Sequence, residues 1–178
     1  LIAFIESVTT REEDGRKVSG DRPMVDLCKL AEQFFFHPAT KGSSSLKKVL
    51  PALMTSSPLL RALYSQPNYG TAAMPSKNLT TPMTWWVPRD GRICDPYELL
   101  PPVFGDLTRD EQEAIEAEEA AELHEGGAAL AAYARLQFES IDLRRREAIE
   151  AALLRYCELD TLAMVMVVQA WQGMLGAR

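Results

Sequence analysis

The stretch YCELDTLAMVMV, residues 156–167, places a carboxylate in the middle of what is otherwise typical of a buried helix. Tyr156 and Asp160 are four residues apart, so on a helix they lie one above the other on the same face. That face continues through apolar side chains in both directions: Ile149, Leu153, Ala163, Met164 and Val167. An unpaired carboxylate on an apolar face costs several kcal/mol even after the protein relaxes, so something must face Asp160.

The composition around this stretch is that of a globular protein, with 47% hydrophobic and 25% charged residues. A length of 178 residues predicts one domain, residues 1–178, of ordinary size. No apolar run is long enough to span a membrane, so no membrane partner is expected. The 3 cysteines are scattered without C-x-x-C spacing. They indicate reduced thiols in a cytoplasmic protein and argue against a zinc or iron–sulfur site within the chain.

Charge is distributed unevenly along the chain. The net charge is −6, but residues 106–125 hold nine acids and one Arg, which leaves about +2 for the rest. No acid occurs from Gln33 to Pro88, a segment that contains five basic residues: Lys41, Lys47, Lys48, Arg61 and Lys77. This layout permits a nucleic-acid partner at one face, and a solvated basic surface is the other explanation.

The first part of the chain, residues 1–105, is predicted to mix helices with irregular loops. Residues 11–23 have the composition of a polar loop, and a short strand or the start of a helix is expected near residues 24–27. Most of the prolines lie in residues 55–105, which we expect to be irregular. Asp90-Gly91, flanked by aromatic and β-branched residues, predicts a small β-hairpin there.

The second part, residues 106–178, is predicted to be helical. Thr108 and Glu111 form a capping box that opens an Ala- and Glu-rich helix, and residues 128–138 predict another. Asp142 or Ser140 is expected to cap a long last helix that ends near Gly173. Because the second half of that helix is apolar almost all round, it needs cover on more than one side, and oligomerisation through it is one way. The predicted fold class is mainly α.

Three stretches carry a resemblance to a known family. MVDLCKL (24–30), FFFHPATKGSSSLKKVLPAL (34–53) and LLRYCELDTLAMV (153–165) resemble the C-terminal half of a bacterial domain-of-unknown-function family, number 2779. The segments SKNLTTPMTWWVPRDGRICDPYELLPPVF and GGAALAAYARLQF are similar to the same family, so the resemblance covers nearly the whole chain. That family is itself similar to the tyrosine-containing RNase H-like 3′–5′ exonucleases, which have four acidic residues. The resemblance implies that this chain is a mainly α fragment of an RNase H-like α/β fold.

The resemblance also implies a role for the opening stretch. Asp160 matches a ligand of catalytic Mg²⁺ or Mn²⁺, and Tyr156 matches the residue that orients the attacking water. Both ions take carboxylate oxygens, and a pair of them can activate water and stabilise the leaving oxygen of a phosphodiester. The family's other acids lie upstream of the matched region, in a strand of Asp-x-Glu type that this sequence lacks. We therefore expect them in a missing N-terminal part of the protein before Leu1, and we expect the isolated chain to be inactive.

Other residues are weaker candidates. Four of them lie near a predicted helix start, where backbone N–H groups and lysines can meet phosphate: Lys41, Ser44, Lys47 and Lys48. Ordinary capping and solvated lysines explain the same residues. Asp26 is predicted to have a structural role or to support a metal ligand. Trp85 and Trp86 could stack on unpaired bases, although one of two adjacent tryptophans usually belongs to the core.

Two functions follow as hypotheses. The first is the C-terminal part of a metal-dependent 3′–5′ exonuclease-like protein that acts on nucleic acid. The alternative is a non-catalytic module that binds nucleic acid or another protein, for which the acid-free segment and the apolar last helix are the grounds.

Overall fold

A computed structural model describes residues 1–101, 133–134, 136–137 and 142–176. The chain divides into two compact units, Leu1–Ser45 and Leu46–Arg178. The boundary between them lies after Ser45 and not near residue 105, where the composition changes. A single domain over the whole chain stays a prediction. The helices expected over residues 106–139 lie outside the described residues, except for residues 133–134 and 136–137, which are helical.

The first unit opens with a helix and a hairpin. Helix α1 spans Ile2–Val8, and strands β1 (Thr10–Glu13) and β2 (Arg16–Ser19) pair antiparallel. Asp14 and Gly15 have φ of 49° and 74°, which suits a two-residue hairpin turn. The prediction of a polar loop over residues 11–23 was therefore wrong. Both strands are exposed throughout, so they lack the alternation of apolar and polar residues that marks a half-buried strand.

Helix α2 spans Leu27–Phe34. It begins near residues 24–27, where the sequence predicted either a short strand or the start of a helix. The carboxylate of Asp26 accepts a hydrogen bond from the backbone N–H of Lys29 at 3.1 Å, which caps the helix. The cap decides in favour of the helix. A short 3₁₀ turn, Pro38–Thr40, follows.

The second unit is built around one long helix. Helices α3 (Leu46–Ser56) and α4 (Pro58–Tyr64) pack against α5, which spans Leu143–Gly176. Helix α4 lies in a region predicted to be irregular, yet its start has a recognisable pattern. The Ser57 hydroxyl caps the backbone N–H of Leu60, and Pro58 occupies the first turn, where its missing N–H is harmless.

The core of this unit lies where the three helices meet. Each large apolar side chain buried there contributes about 1.5–3 kcal/mol. The most completely buried members from the helices are Leu50, Leu53, Met54, Leu60, Tyr64, Leu159 and Met166. Near the end of α5, a Cβ on Gly173 would lie 3.1 Å from the Leu59 side chain, so the small residue allows α4 to approach closely.

Helix α5 begins and is buried largely as its sequence predicts. The Asp142 carboxylate caps the N–H of Arg145 at 3.0 Å. On the predicted apolar face, Ile149, Ala163 and Val167 are buried, but Met164 is 43% exposed and does not belong to it. The helix therefore buries a narrower stripe than the apolar sequence suggested.

A small hairpin precedes the second 3₁₀ helix of the chain. Strands β3 (Pro88–Arg89) and β4 (Arg92–Ile93) flank Asp90 and Gly91, which confirms the predicted turn. The 3₁₀ helix Pro96–Leu99 follows directly and contacts α5. The described residues thus form a mainly α structure, as predicted, and contain two small two-stranded sheets where one hairpin was expected. None of the described helices has the length and apolar character needed to cross a membrane.

Candidate functional site

Tyr156 and Asp160 lie on the side of α5 that meets the 3₁₀ helix. Both side chains are half-buried, at the border of the buried stripe formed by residues such as Leu159 and Ala163. The hydroxyl of Tyr97, in the 3₁₀ helix, donates a hydrogen bond to Oδ1 of Asp160 at 2.5 Å. A charge-assisted hydrogen bond of this kind offsets part of the cost of burying a carboxylate. Tyr97 is therefore a residue that faces Asp160.

The chemistry of Tyr97 suits a donor. Burial raises the pKa of the Tyr97 hydroxyl, and the hydrogen bond to Asp160 raises that pKa further. The hydroxyl therefore keeps its proton at neutral pH and can only donate to the carboxylate. Sequence reasoning missed this residue, because Tyr97 has no local relation to the last helix.

Local sequence explains how Tyr97 is held. In the segment CDPYEL, Asp95 caps the 3₁₀ helix by accepting from the N–H of Tyr97 at 3.1 Å, and Pro96 is fully buried in its first turn. Burial raises the pKa of the Asp95 carboxyl, although the N–H of Tyr97 and the charges of Lys47 and Lys48 counteract part of this. The charges of the two lysines thus favour the ionised form of Asp95.

Lys47 joins the same group of side chains from the first turn of α3. Its ammonium lies 5.6 Å from the ring centroid of Tyr97 and 5.5 Å from that of Tyr156. The two rings are themselves 5.4 Å apart and tilted by 47°. Distances below about 6 Å are those of cation–π contacts. We call Lys47, Tyr97, Tyr156 and Asp160 the tyrosine cluster.

The remaining predicted residues do not all belong to this cluster. Lys48, the third residue of α3, is exposed, and its charge helps to lower the pKa of Asp95. Asp26, Lys41 and Ser44 belong to the first unit. There Asp26 caps α2, Ser44 donates to Glu32 at 3.3 Å, and Lys41 is exposed in a left-handed conformation after the 3₁₀ turn. Capping accounts for Asp26, and a phosphate-binding role of Lys41 and Ser44 stays a prediction.

Glu158, two residues before Asp160, holds a different segment. Its carboxylate accepts hydrogen bonds from five donors, at 2.5–3.3 Å: the hydroxyls of Tyr69 and Ser76, the backbone N–H of Lys77, and the backbone and side-chain N–H of Asn78. Burial alone would raise the Glu158 pKa, but the hydrogen bonds from Ser76, Tyr69 and Asn78 outweigh it and lower the pKa. The sequence contained one signal for this role of Glu158. The segment from Gln33 to Pro88 is rich in hydrogen-bond donors and has no acid, so its donors need an acceptor from another part of the chain.

The two adjacent tryptophans have separate environments. Trp85 is fully buried and makes an edge contact with the Tyr69 ring at 5.9 Å. Trp86 is half-buried, its Nε1 donates to the carbonyl of Met54 at 2.8 Å, and the Arg61 guanidinium lies 5.0 Å from its ring centroid. The Trp85 ring is therefore inaccessible to a nucleic-acid base. A base that stacked on the Trp86 ring would have to compete with the Arg61 guanidinium.

The fit to a divalent metal is partial. Within the described parts of the chain, no three His, Cys, Asp or Glu side chains lie close enough together to hold an ion. Asp160 is a single carboxylate whose Oδ1 accepts from the Tyr97 hydroxyl. The described residues thus supply one carboxylate, which by itself does not make a divalent-metal site.

Comparison of the chain with protein-family models, with curated proteins and with solved structures found no match in any of the three.

Proposed function

We propose that this chain contributes Tyr156 and Asp160 to the active site of a metal-dependent phosphodiesterase that acts on nucleic acid. The observation that carries the proposal is the tyrosine cluster. It holds a half-buried carboxylate by a neutral donor, and a lysine ammonium lies over the two tyrosine rings of the same cluster. In this proposal further acidic ligands complete the Mg²⁺ or Mn²⁺ site, and we expect them outside the described residues. Its cytoplasmic location is part of the proposal.

Each residue has a distinct task in this proposal. Asp160 would be a ligand of the ion, whose chemistry when bound is to activate water and stabilise charge on the phosphodiester. Lys47 brings positive charge that attracts a phosphate and lowers the cost of placing one near Asp160. Tyr156, one helical turn before Asp160 on the same face, would orient the water. The half-buried position of all three limits competition from bulk solvent.

The test uses protein expressed from the complete reading frame, purified and incubated with labelled single-stranded oligonucleotides and Mg²⁺ or Mn²⁺. We expect metal-dependent cleavage, and we expect Asp160→Ala to abolish it. The matched control is Glu150→Ala, which removes an exposed carboxylate of the same helix that pairs with Arg146. Loss of cleavage in both variants, or in neither, would contradict the proposal. Residues 1–178 alone should show no cleavage, because the described residues bring a single carboxylate, Asp160, to the proposed site, and one carboxylate cannot fix the ions.

A second candidate is a non-catalytic module that binds nucleic acid or a protein. It is favoured by the lack of a three-ligand group in the described residues and by the acid-free segment from Gln33 to Pro88. Binding of single-stranded DNA to the chain, measured over a range of salt concentrations, distinguishes the two. Binding that weakens steeply with salt, together with no cleavage by the intact protein, would favour the module, since phosphate contacts release counterions.

A further inference from the structure

The second half of α5 has an apolar outer side as well as an apolar inner side. From Thr161 to Ala177 the sequence contains no Asp, Glu, Lys or Arg. On the side that packs against α3 and α4, residues such as Ala163 and Met166 are fully buried. On the opposite side, Val165 is 46% exposed and Leu175 is 70% exposed. Packing within the described residues therefore leaves an uncharged, accessible surface along this helix.

The side chains of this surface follow a heptad spacing. They recur at alternate steps of three and four residues: Leu154, Cys157, Thr161, Met164, Val168, Trp171 and Leu175. All are exposed except Val168 and Trp171, which are partly buried. An average step of about 3.5 residues keeps a stripe in line along a helix that winds around a second helix. We call these residues the outer stripe, and their spacing indicates that a helix covers it.

The chemistry of the outer stripe limits what can cover it. Nucleic acid needs Lys or Arg for its phosphates, and α5 has neither after Arg155. A helix that lies on a lipid surface carries the same basic residues along its polar face. The complement of an uncharged stripe is another uncharged stripe, because no ion then loses its hydration on binding. A second copy of this chain brings such a stripe with the same heptad spacing.

Two outer stripes fit each other best when the helices run in opposite directions. With a two-fold axis between Thr161 and Met164, three pairs of residues face each other across the two copies: Leu154 with Trp171, Cys157 with Val168, and Thr161 with Met164. Parallel helices would instead place two Trp171 rings opposite each other, and likewise two Cys157 thiols. The antiparallel arrangement therefore has the more even width, which close packing requires.

We propose that two copies of this chain associate through the outer stripe, with their α5 helices antiparallel. The stripe is about 33 Å long at about 1.5 Å per residue, and a helix about 10 Å across exposes roughly 600 Å² of one side over that length. Two copies together bury about 1,200 Å², the lower limit for a stable, specific interface. The proposal is independent of the proposed function, since the outer stripe shares no residue with the tyrosine cluster.

Two methionines of α5 offer a matched pair of variants. Met164 and Met174 are both 43% exposed, but only Met164 belongs to the outer stripe. Met174 points about 100° around the helix from its neighbour Leu175. Met164→Glu places a carboxylate in the middle of the interface, whereas Met174→Glu makes the identical change outside the stripe. Because both side chains are partly exposed already, neither substitution buries a charge in the folded monomer.

The experiment is sedimentation velocity of the 178-residue chain over a range of concentrations, with circular dichroism to check that each variant is folded. We expect the wild type and Met174→Glu to be dimers. Association of Met164→Glu should be weaker by about 100-fold or more, because an unpaired carboxylate is costly to bury. A wild type that is monomeric at every concentration, or equal weakening in the two variants, would overturn the proposal.

Disulfide formation tests the direction of the helices. The parent for this test is Cys28→Ser, which leaves Cys157 as the exposed cysteine. In the antiparallel arrangement Cys157 lies opposite Val168, so adding Val168→Cys should give a disulfide-linked dimer on mild oxidation, and the parent should give none. A linked dimer of the parent would mean that two Cys157 thiols face each other, and the antiparallel arrangement would be wrong.

Discussion

Two carboxylates on α5, Glu158 and Asp160, are two residues apart and have different environments. Glu158 accepts hydrogen bonds from five donors of a segment that includes Tyr69 and residues 76–78. At Asp160 the described residues place one donor, the Tyr97 hydroxyl, with a lysine ammonium nearby over the tyrosine rings. A carboxylate has about four acceptor positions, so Glu158 is fully used and Asp160 is not.

The comparison separates a carboxylate that anchors a whole segment from one that is held by a single tyrosine. Glu158 satisfies the backbone and side-chain donors of an irregular segment, and this is what a structural carboxylate does. Among the described residues, Asp160 accepts from one donor, the Tyr97 hydroxyl. Residues of one type, so close in sequence, differ because a helix turns about 200° between them and directs each toward another part of the unit.

The largest expected effect is that of removing the anchor. Glu158→Ala should lower the free energy of unfolding by about 3 kcal/mol, because a charged acceptor is lost and several partly buried donors remain unsatisfied. Urea denaturation of residues 1–178 measures it. The control is Glu150→Ala, whose exposed pair with Arg146 contributes little. If Glu158→Ala lowers the free energy of unfolding by less than Asp160→Ala does, the five hydrogen bonds do not anchor the segment.

A smaller effect is expected from acid. The folded-state pKa of Glu158 is lowered below its ordinary value of 4.5, so its contribution to stability is complete above that pH. It disappears as the pH falls through the lower folded-state value. Urea midpoints of the wild type and Glu158→Gln, measured from neutral pH down through this window, should therefore converge in acid. A constant difference at every pH would mean that the charge of Glu158 is unimportant for the anchor.

The smallest change in stability is expected at the other carboxylate. Asp160→Asn keeps an oxygen that can accept from Tyr97, so we expect the free energy of unfolding to fall by less than about 1 kcal/mol. The same substitution removes the charge that a divalent ion needs, so Asp160-dependent Mn²⁺ binding should disappear. Thermal unfolding and Mn²⁺ binding of the same preparation test both statements. A destabilisation as large as that of Glu158→Ala would make Asp160 an anchor too.

Local chemistry made part of the fold predictable. Asp142 as a helix cap, Asp90-Gly91 as a turn, and the shared face of Tyr156 and Asp160 each follow from residues only a few positions apart. The same kind of signal was present but overlooked in Asp14-Gly15, where polar strands concealed the hairpin, and in Ser57-Pro58, which opens α4. These errors came from giving more weight to composition than to turn and cap chemistry.

In the candidate site, too, some features follow from local sequence and others from tertiary packing. By itself the sequence determined that Tyr156 and Asp160 share a helix face, because helical periodicity requires only the residues between them. Only the tertiary structure decided that Tyr97, 63 residues away, holds Asp160, and that Asn78, 80 residues away, binds Glu158. Lys47 also joins the tyrosine cluster only because α3 packs against α5. Contacts between distant segments depend on how whole elements pack, and no rule of local spacing contains that information.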